Sequence, residues 1–134
     1  MREIKFRGKH IHAFLEPHNT GIWVYGYLCN DHYINSEELM GEMLVDKESV
    51  GQFTGLKDKN GREIYEGDIV AEKGHYINSD RILYQDIKWK ENYSCWLRGE
   101  YQRLTPKNIE RYEIEVVGNI YDNPQLLKGA DNIE

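Results

Sequence analysis

Between Phe53 and Val70 a glycine recurs every six residues, at Gly55, Gly61 and Gly67. That rhythm cuts the chain into pieces too short for stable helices. Glycine is the default residue wherever backbone must turn through a left-handed conformation, and it weakens a helix interior. The residues between these glycines are those of short strands. Phe53-Thr54-Gly55-Leu56 leads into Lys57 to Tyr65, with Asn60-Gly61 at the centre. Asn-Gly is the strongest short-range hairpin signal, and it predicts a type I′ turn with φ > 0 at both residues. Asp58 and Asn60 can bond their own turn backbone. Glu66-Gly67-Asp68 then forms a turn that launches Ile69-Val70 as a strand. Gly55, Asn60, Gly61, Glu66, Gly67 and Asp68 are therefore read as turn residues.

The rest of the chain follows the same pattern. Ile4 to Gly8 alternates apolar and basic side chains, the period of a strand with one buried face. Ile11 to Leu15 reads as a second short strand, and Pro17 to Gly21 as a turn. Ile22 to Leu28 is the strongest strand of the first half, and its internal Gly26 predicts a bulge or a close backbone approach. Ser36 to Leu44 has a capping Ser, two acids, and Leu39, Met40, Met43 and Leu44 at helical spacing. It predicts a helix, or a hairpin if Gly41 breaks the helix. Two further strands are expected at Arg81 to Lys90 and Tyr93 to Leu97, both with mixed faces. Thr105-Pro106 and Asn123-Pro124 each start a helical turn, and Glu113 to Tyr121 is the last strand. The expected fold is α+β and mostly β: a small, partly open antiparallel barrel or sheets, with a few short helices. Segment boundaries fall at 1–52, 53–128, and a frayed tail at 129–134.

Composition narrows the function. The 134 residues are 40% apolar and 12% aromatic, ten of them Tyr. This suits one modest core and broad semi-polar sheets. The longest apolar stretch, Ile22 to Cys29, has eight residues, far short of the ~18 needed to cross a membrane. The basic opening lacks the apolar run of a secretory leader. Two cysteines, Cys29 and Cys95, make no disulfide framework, so a reducing cytoplasm is expected. Both are read as small buried hydrophobes. The net charge of −6 divides into +3 over residues 1–12, −8 over 13–80, +3 over 81–111 and −4 over 112–134. An acidic chain with two weakly basic blocks is a poor candidate for nonspecific DNA binding. Blocks of opposite sign fit contacts between segments or subunits better.

The run Phe53 to Val70 resembles the signature of the YopX family. Met1-Arg2-Glu3-Ile4-Lys5-Phe6-Arg7 is similar to that family's opening, and Glu115 to Leu127, with Val117-Gly118-Asn119-Ile120-Tyr121-Asp122-Asn123-Pro124, to its end. The resemblance implies a small protein of bacteriophages and prophages that forms a symmetric homo-oligomer, and it supplies no catalytic residues. Two departures stand out. Gly8-Lys9-His10 replaces the Ala-Trp-Asp that often follows the opening arginine, and Glu72 to Tyr112 is particular to this chain. The turn into Ile69-Val70 is also similar to the strand entry of SH3-like barrels, a likeness of fold that is silent on function.

No pattern names a reaction. There is no phosphate-binding, dinucleotide-binding, zinc-protease or nucleophile-elbow motif. No cofactor, metal site or catalytic residue is expected, and the chain is not read as an enzyme. Glu63, Glu66 and Asp68 lie close enough for acid–base or Mg²⁺ chemistry, but turn-capping carboxylates explain them better. His10 and His12 share a strand face and could ligate zinc with Cys29, His32 or His75, but the tight ligand pairs of strong zinc sites are missing from the sequence. The best interaction surface is Trp89, Tyr93, Trp96, Arg98, Tyr101 and Arg103, suited to a subunit contact or to stacking single-stranded bases. The expected function is a non-enzymatic, oligomeric accessory protein binding a phage or host partner. The alternatives are a nucleic-acid module using residues 88–103 and a small metal-dependent hydrolase.

Overall fold

The computed structural model describes residues 3–11 and 21–131. The expected strand through Leu15, the turn from Pro17, His12 and the last residues of the tail lie outside them. Two compact units divide the chain, Met1–Phe53 and Thr54–Glu134.

In the first unit β1 (Phe6–Lys9), β2 (Trp23–Asn30), β3 (Tyr33–Ser36) and β4 (Gly41–Leu44) form an antiparallel meander, and the beginning of β5 (Gly51–Lys57) returns to pair with β1. Alternation along the strands turns Val24, Ile34 and Val45 inward, against Phe6, Leu28, Leu39, Met43 and Val50. Gly26 is a close backbone approach, as expected. A Cβ there would collide with the Asn35 carbonyl, so β2 and β3 need glycine to come together.

The expected Ser36–Leu44 helix is instead the hairpin of β3 and β4, with Ile34 opposite Met43 and Ser36 opposite Gly41. Ser36 still caps, but it caps a turn: its Oγ accepts the Leu39 N–H at 3.1 Å. Met40 closes that turn at φ 61°. The spacing of Leu39, Met40, Met43 and Leu44 fits a helix, yet cross-strand packing of Met43 on the core decides the outcome. Tertiary contacts override local periodicity here.

In the second unit β5 runs on beside β6 (Glu63–Tyr65). A second sheet has the order β10-β9-β8-β7-β11, formed by β7 (Asp68–Glu72), β8 (Leu83–Lys90), β9 (Cys95–Arg98), β10 (Gln102–Arg103) and β11 (Glu115–Asn119). Helix α1 (Pro106–Arg111) starts at Thr105, whose Oγ1 accepts the Asn108 N–H at 3.1 Å. Helix α2 (Gln125–Asp131) lies against β8, so residues 129–131 continue a helix where a frayed tail was expected. The core joins Ile64, Val70, Ile87, Trp96, Leu104, Ile109, Ile114 and Val116. The fold is mostly β, and its sheets stay open.

The Asn60-Gly61 hairpin forms with different turn chemistry. Gly61 has φ 85° while Asn60 does not enter the left-handed region, which excludes type I′. The Gly61 N–H donates to the Asp58 carbonyl at 3.0 Å and the Asp58 N–H to the Arg62 carbonyl at 2.8 Å. A four-residue turn thus ends on one left-handed glycine, the pattern of a hairpin with a glycine bulge. Gly55, at φ 86°, lies inside β5 rather than in a turn, and Gly67, at φ 90°, turns β6 into β7. A Cβ at Gly61 meets open space, so its cost is purely conformational. Gly61→Val is expected to destabilise the protein by about 1–3 kcal/mol, read as a lower thermal midpoint. An unchanged midpoint contradicts this turn.

Candidate functional site

Strand alternation splits the expected interaction surface in two. On β9, Trp96 and Arg98 face the core, while Cys95 and Leu97 face the opposite way. Trp96 is buried at 9% exposure and Arg98 at 0%, so neither belongs to a surface. Trp96 packs edge-on against Trp89 with ring centroids 5.0 Å apart, across the register Trp89↔Trp96. Trp89 is at the rim, and its Nε1 donates to Glu91 at 2.8 Å.

The other side of the sheet carries the exposed members. Tyr93 and Tyr101 are 68% and 91% exposed. With Cys95, Leu97, Glu100 and Arg103 they line a depression of about 310 Å³. Leu97 is its buried apolar floor. Cross-strand register places Lys88 and Arg103 on either side of Leu97. Lys88 Nζ is 2.8 Å from Glu100 Oε1 and 3.6 Å from Asp86 Oδ2. Its ammonium, hydrogen-bonded to Glu100, holds that carboxyl below its ordinary range. The bond to Glu100 raises Lys88 in turn, against its partial burial.

Arg98 belongs to a buried polar network absent from the sequence reading. Its Nε donates to Glu72 Oε2 at 2.7 Å and its Nη2 to Glu72 Oε1 at 3.0 Å, a bidentate pair with both side chains at 0% exposure. Glu72 also accepts Gln85 Nε2 at 3.0 Å and meets His75 Nε2 at 2.7 Å. Arg98 Nη1 donates to the Arg103 carbonyl. His75 stacks on Tyr112 at 4.2 Å, and the guanidinium lies over the same ring at 5.3 Å. These groups satisfy one another and present no open position to a substrate.

Glu63 and Asp68 serve the turn, in line with the turn-capping reading. Asp68 is buried and its Oδ2 accepts the Tyr65 N–H at 2.7 Å. Glu63 accepts the Tyr65 hydroxyl at 2.9 Å. Both brace the β6–β7 turn. The family-like C-terminal block is braced the same way: Asn119 Oδ1 accepts the Tyr121 and Asp122 N–H groups, each at 2.9 Å, and Asn123 Oδ1 accepts the Asn119 N–H at 3.2 Å.

The three described histidines are dispersed. His10 is buried against the Leu44 carbonyl at 2.7 Å, His32 meets Asp31, and His75 belongs to the Glu72 network. Among the described residues no three metal-ligating side chains come together. Cys29, expected to be buried, is exposed, and Cys95 is half-buried. Cys29 sits on the outward side of β2, a side that alternation alone could not assign.

A second concave feature lies in the first unit, where the sequence reading named no site. A groove of about 290 Å³ is lined by Glu3, Lys5, Tyr25, Gly26, Tyr27, Asn35, Glu37 and Glu38. The i, i+2 spacing of Tyr25 and Tyr27 puts both rings on one face of β2.

A family model described as YopX protein matches residues 18–128. The crystal structure of protein EF1440 from Enterococcus faecalis is similar in fold, with a TM-score of 0.53 at 23% identity, covering 95% of this chain and 99% of that one. No curated protein matches the chain. Among the described residues no helix is long and apolar enough to cross a membrane.

Proposed function

The chain belongs to the YopX family, and from that premise we propose a non-enzymatic, homo-oligomeric interaction protein that docks through the Tyr93–Tyr101 face of its second unit. In this reading it is a phage- or prophage-encoded accessory protein of the bacterial cytoplasm. One observation carries the docking face: two tyrosines, 68% and 91% exposed, flank a depression floored by Leu97. Tyr and Arg are enriched in interface cores, where a rigid ring covers much area at little entropic cost. Arg103 and the Lys88–Glu100 pair supply the polar rim. The short edge strand β10 beside them offers only two residues for pairing, which favours a side-chain contact over sheet extension.

Nucleic acid is the weaker reading because Trp96 and Arg98, two of its stacking and phosphate-binding candidates, point into the core. Light scattering at micromolar concentration in moderate salt is expected to give a mass at least twice 15.9 kDa. The double variant Tyr101→Ala/Arg103→Ala should lower that mass and leave the β circular-dichroism signal intact, since both side chains are exposed. A concentration-independent monomer mass overturns the proposal. So does an oligomer that ignores the double variant.

A further inference from the structure

We propose that the groove on the first unit is a recognition site for a cationic side chain, arginine or lysine, presented by a protein partner. This is a separate surface from the Tyr93–Tyr101 face and does not depend on it. The groove runs along β2 and β3 where Gly26 lets the two strands close together against the Asn35 backbone, and the Tyr25 and Tyr27 side chains share its lining with Gly26 and Asn35. Tyr27 is 61% exposed and Tyr25 40%, large rings standing out of a sheet face. The volume of about 290 Å³ suits one long side chain and falls at the lower limit for a drug-sized ligand.

Charge selects the occupant. Glu3, Glu37 and Glu38 face a single cation, Lys5, so the lining carries −2. Lys5 is already engaged, 3.6 Å from Glu3 and 5.5 Å from the centre of the Phe53 ring. Glu37 and Glu38 are exposed on the turn after β3, held there by the Ser36 cap and the Met40 N–H donated to the Glu37 carbonyl at 3.2 Å. An aromatic pair in one groove with carboxylates attracts a cation twice, through the ring quadrupole and through charge. An anion meets repulsion, and an apolar group leaves the carboxylates without a counter-charge. Arginine is the favoured occupant because its planar guanidinium both stacks on a ring and bridges carboxylate oxygens.

The test is an amide-resolved NMR titration of the full chain with three capped tripeptides, acetyl-Gly-Arg-Gly-amide, acetyl-Gly-Lys-Gly-amide and acetyl-Gly-Glu-Gly-amide. Saturable shifts are expected at Gly26, Tyr27, Glu37 and Glu38 with the arginine peptide, weaker ones with lysine and none with glutamate. Tyr27→Ala is expected to weaken arginine binding about two- to fivefold. Glu37→Gln/Glu38→Gln is expected to weaken it about two- to tenfold. All three side chains are exposed, so folding is retained and circular dichroism checks it. Three results overturn the proposal: no saturable shift, shifts spread over the acidic surface generally, or binding unchanged by Tyr27→Ala. The last would mean counter-ion attraction without a site.

Discussion

Glu72→Ala is expected to lower the free energy of unfolding by about 3–5 kcal/mol, because it leaves the Arg98 guanidinium buried and unpaired. Arg98 has no route to water at 0% exposure, and Gln102 Oε1 and the Arg103 carbonyl cannot neutralise it. Gln85 and His75 lose their acceptor at the same time. A protein of this size has about 5–15 kcal/mol in total, so the loss is a large share. Arg98→Met should cost somewhat less, since a neutral chain of similar length fills part of the space while Glu72 keeps Gln85 and His75 as partners. The double variant Glu72→Leu/Arg98→Met is the informative one. Removing both charges avoids the unpaired ion, so its loss should be smaller than the sum of the singles by about 1–3 kcal/mol. Urea denaturation at fixed pH gives all the values. A midpoint unmoved in Glu72→Ala contradicts the network, and additivity in the double variant contradicts the pairing.

That network marks where the sequence stops being informative. Alternation along Cys95 to Arg98 requires Trp96 and Arg98 to share a face, but both faces of β8 and β9 are mixed, so nothing local says which face meets the core. The pairing of Arg98 with Glu72, 26 residues away, depends on β7, β8 and β9 lying in order across the sheet. An arginine among aromatics on a polar strand thus reads as a binding residue while it acts as a core residue. The hairpin at Asn60-Gly61 was legible for the opposite reason. Its determinants, a left-handed glycine and an Asp two residues before Asn60, act within five residues. Only the turn type was misread, because β5 and β6 accept a glycine bulge in place of a symmetric turn.

Ser36 to Leu44 lies between these cases. Ser36 caps in either structure, and Leu39 and Met43 are packed on the core in the hairpin as they would be in a helix. Gly41 and the cross-strand partner of Met43 decide, and that partner is Ile34. The groove beside this hairpin was illegible because Glu37 and Glu38 look like helix-dipole residues until the turn brings them into one lining with Tyr27. Family likeness helped with the fold and little with the site. Its blocks contain the turn-bracing residues Asp58, Gly61, Asp68 and Asn119, whereas Tyr93 and Tyr101 of the candidate docking face fall in the stretch particular to this chain.

Asp58→Ala is expected to cost about 3–5 kcal/mol, the other large effect, although Asp58 touches no candidate binding surface. Its carboxylate is 6% exposed as a residue and accepts three backbone N–H groups: Oδ1 takes Asn60 at 2.8 Å and Arg62 at 2.9 Å, and Oδ2 takes Val116 at 2.9 Å. The first two shape the hairpin tip. The third ties that tip to β11, 58 residues along the chain. Hydrogen bonds to a charged acceptor contribute about 1.5–3 kcal/mol each and do not add fully when they share one group. The exposed Asn60 and Arg62 amides can turn to water, but the Val116 N–H is buried and left without an acceptor, so most of the loss falls there. Asp58→Asn separates the contributions: it keeps one acceptor oxygen, so it should retain either the tip or the β11 tie and lose roughly half as much. Hydrogen exchange reads the difference directly. In Asp58→Ala the Val116 amide should exchange faster than the rest of β11, and continued protection of that amide would sink the assignment of Asp58 as the link between the signature hairpin and the last strand.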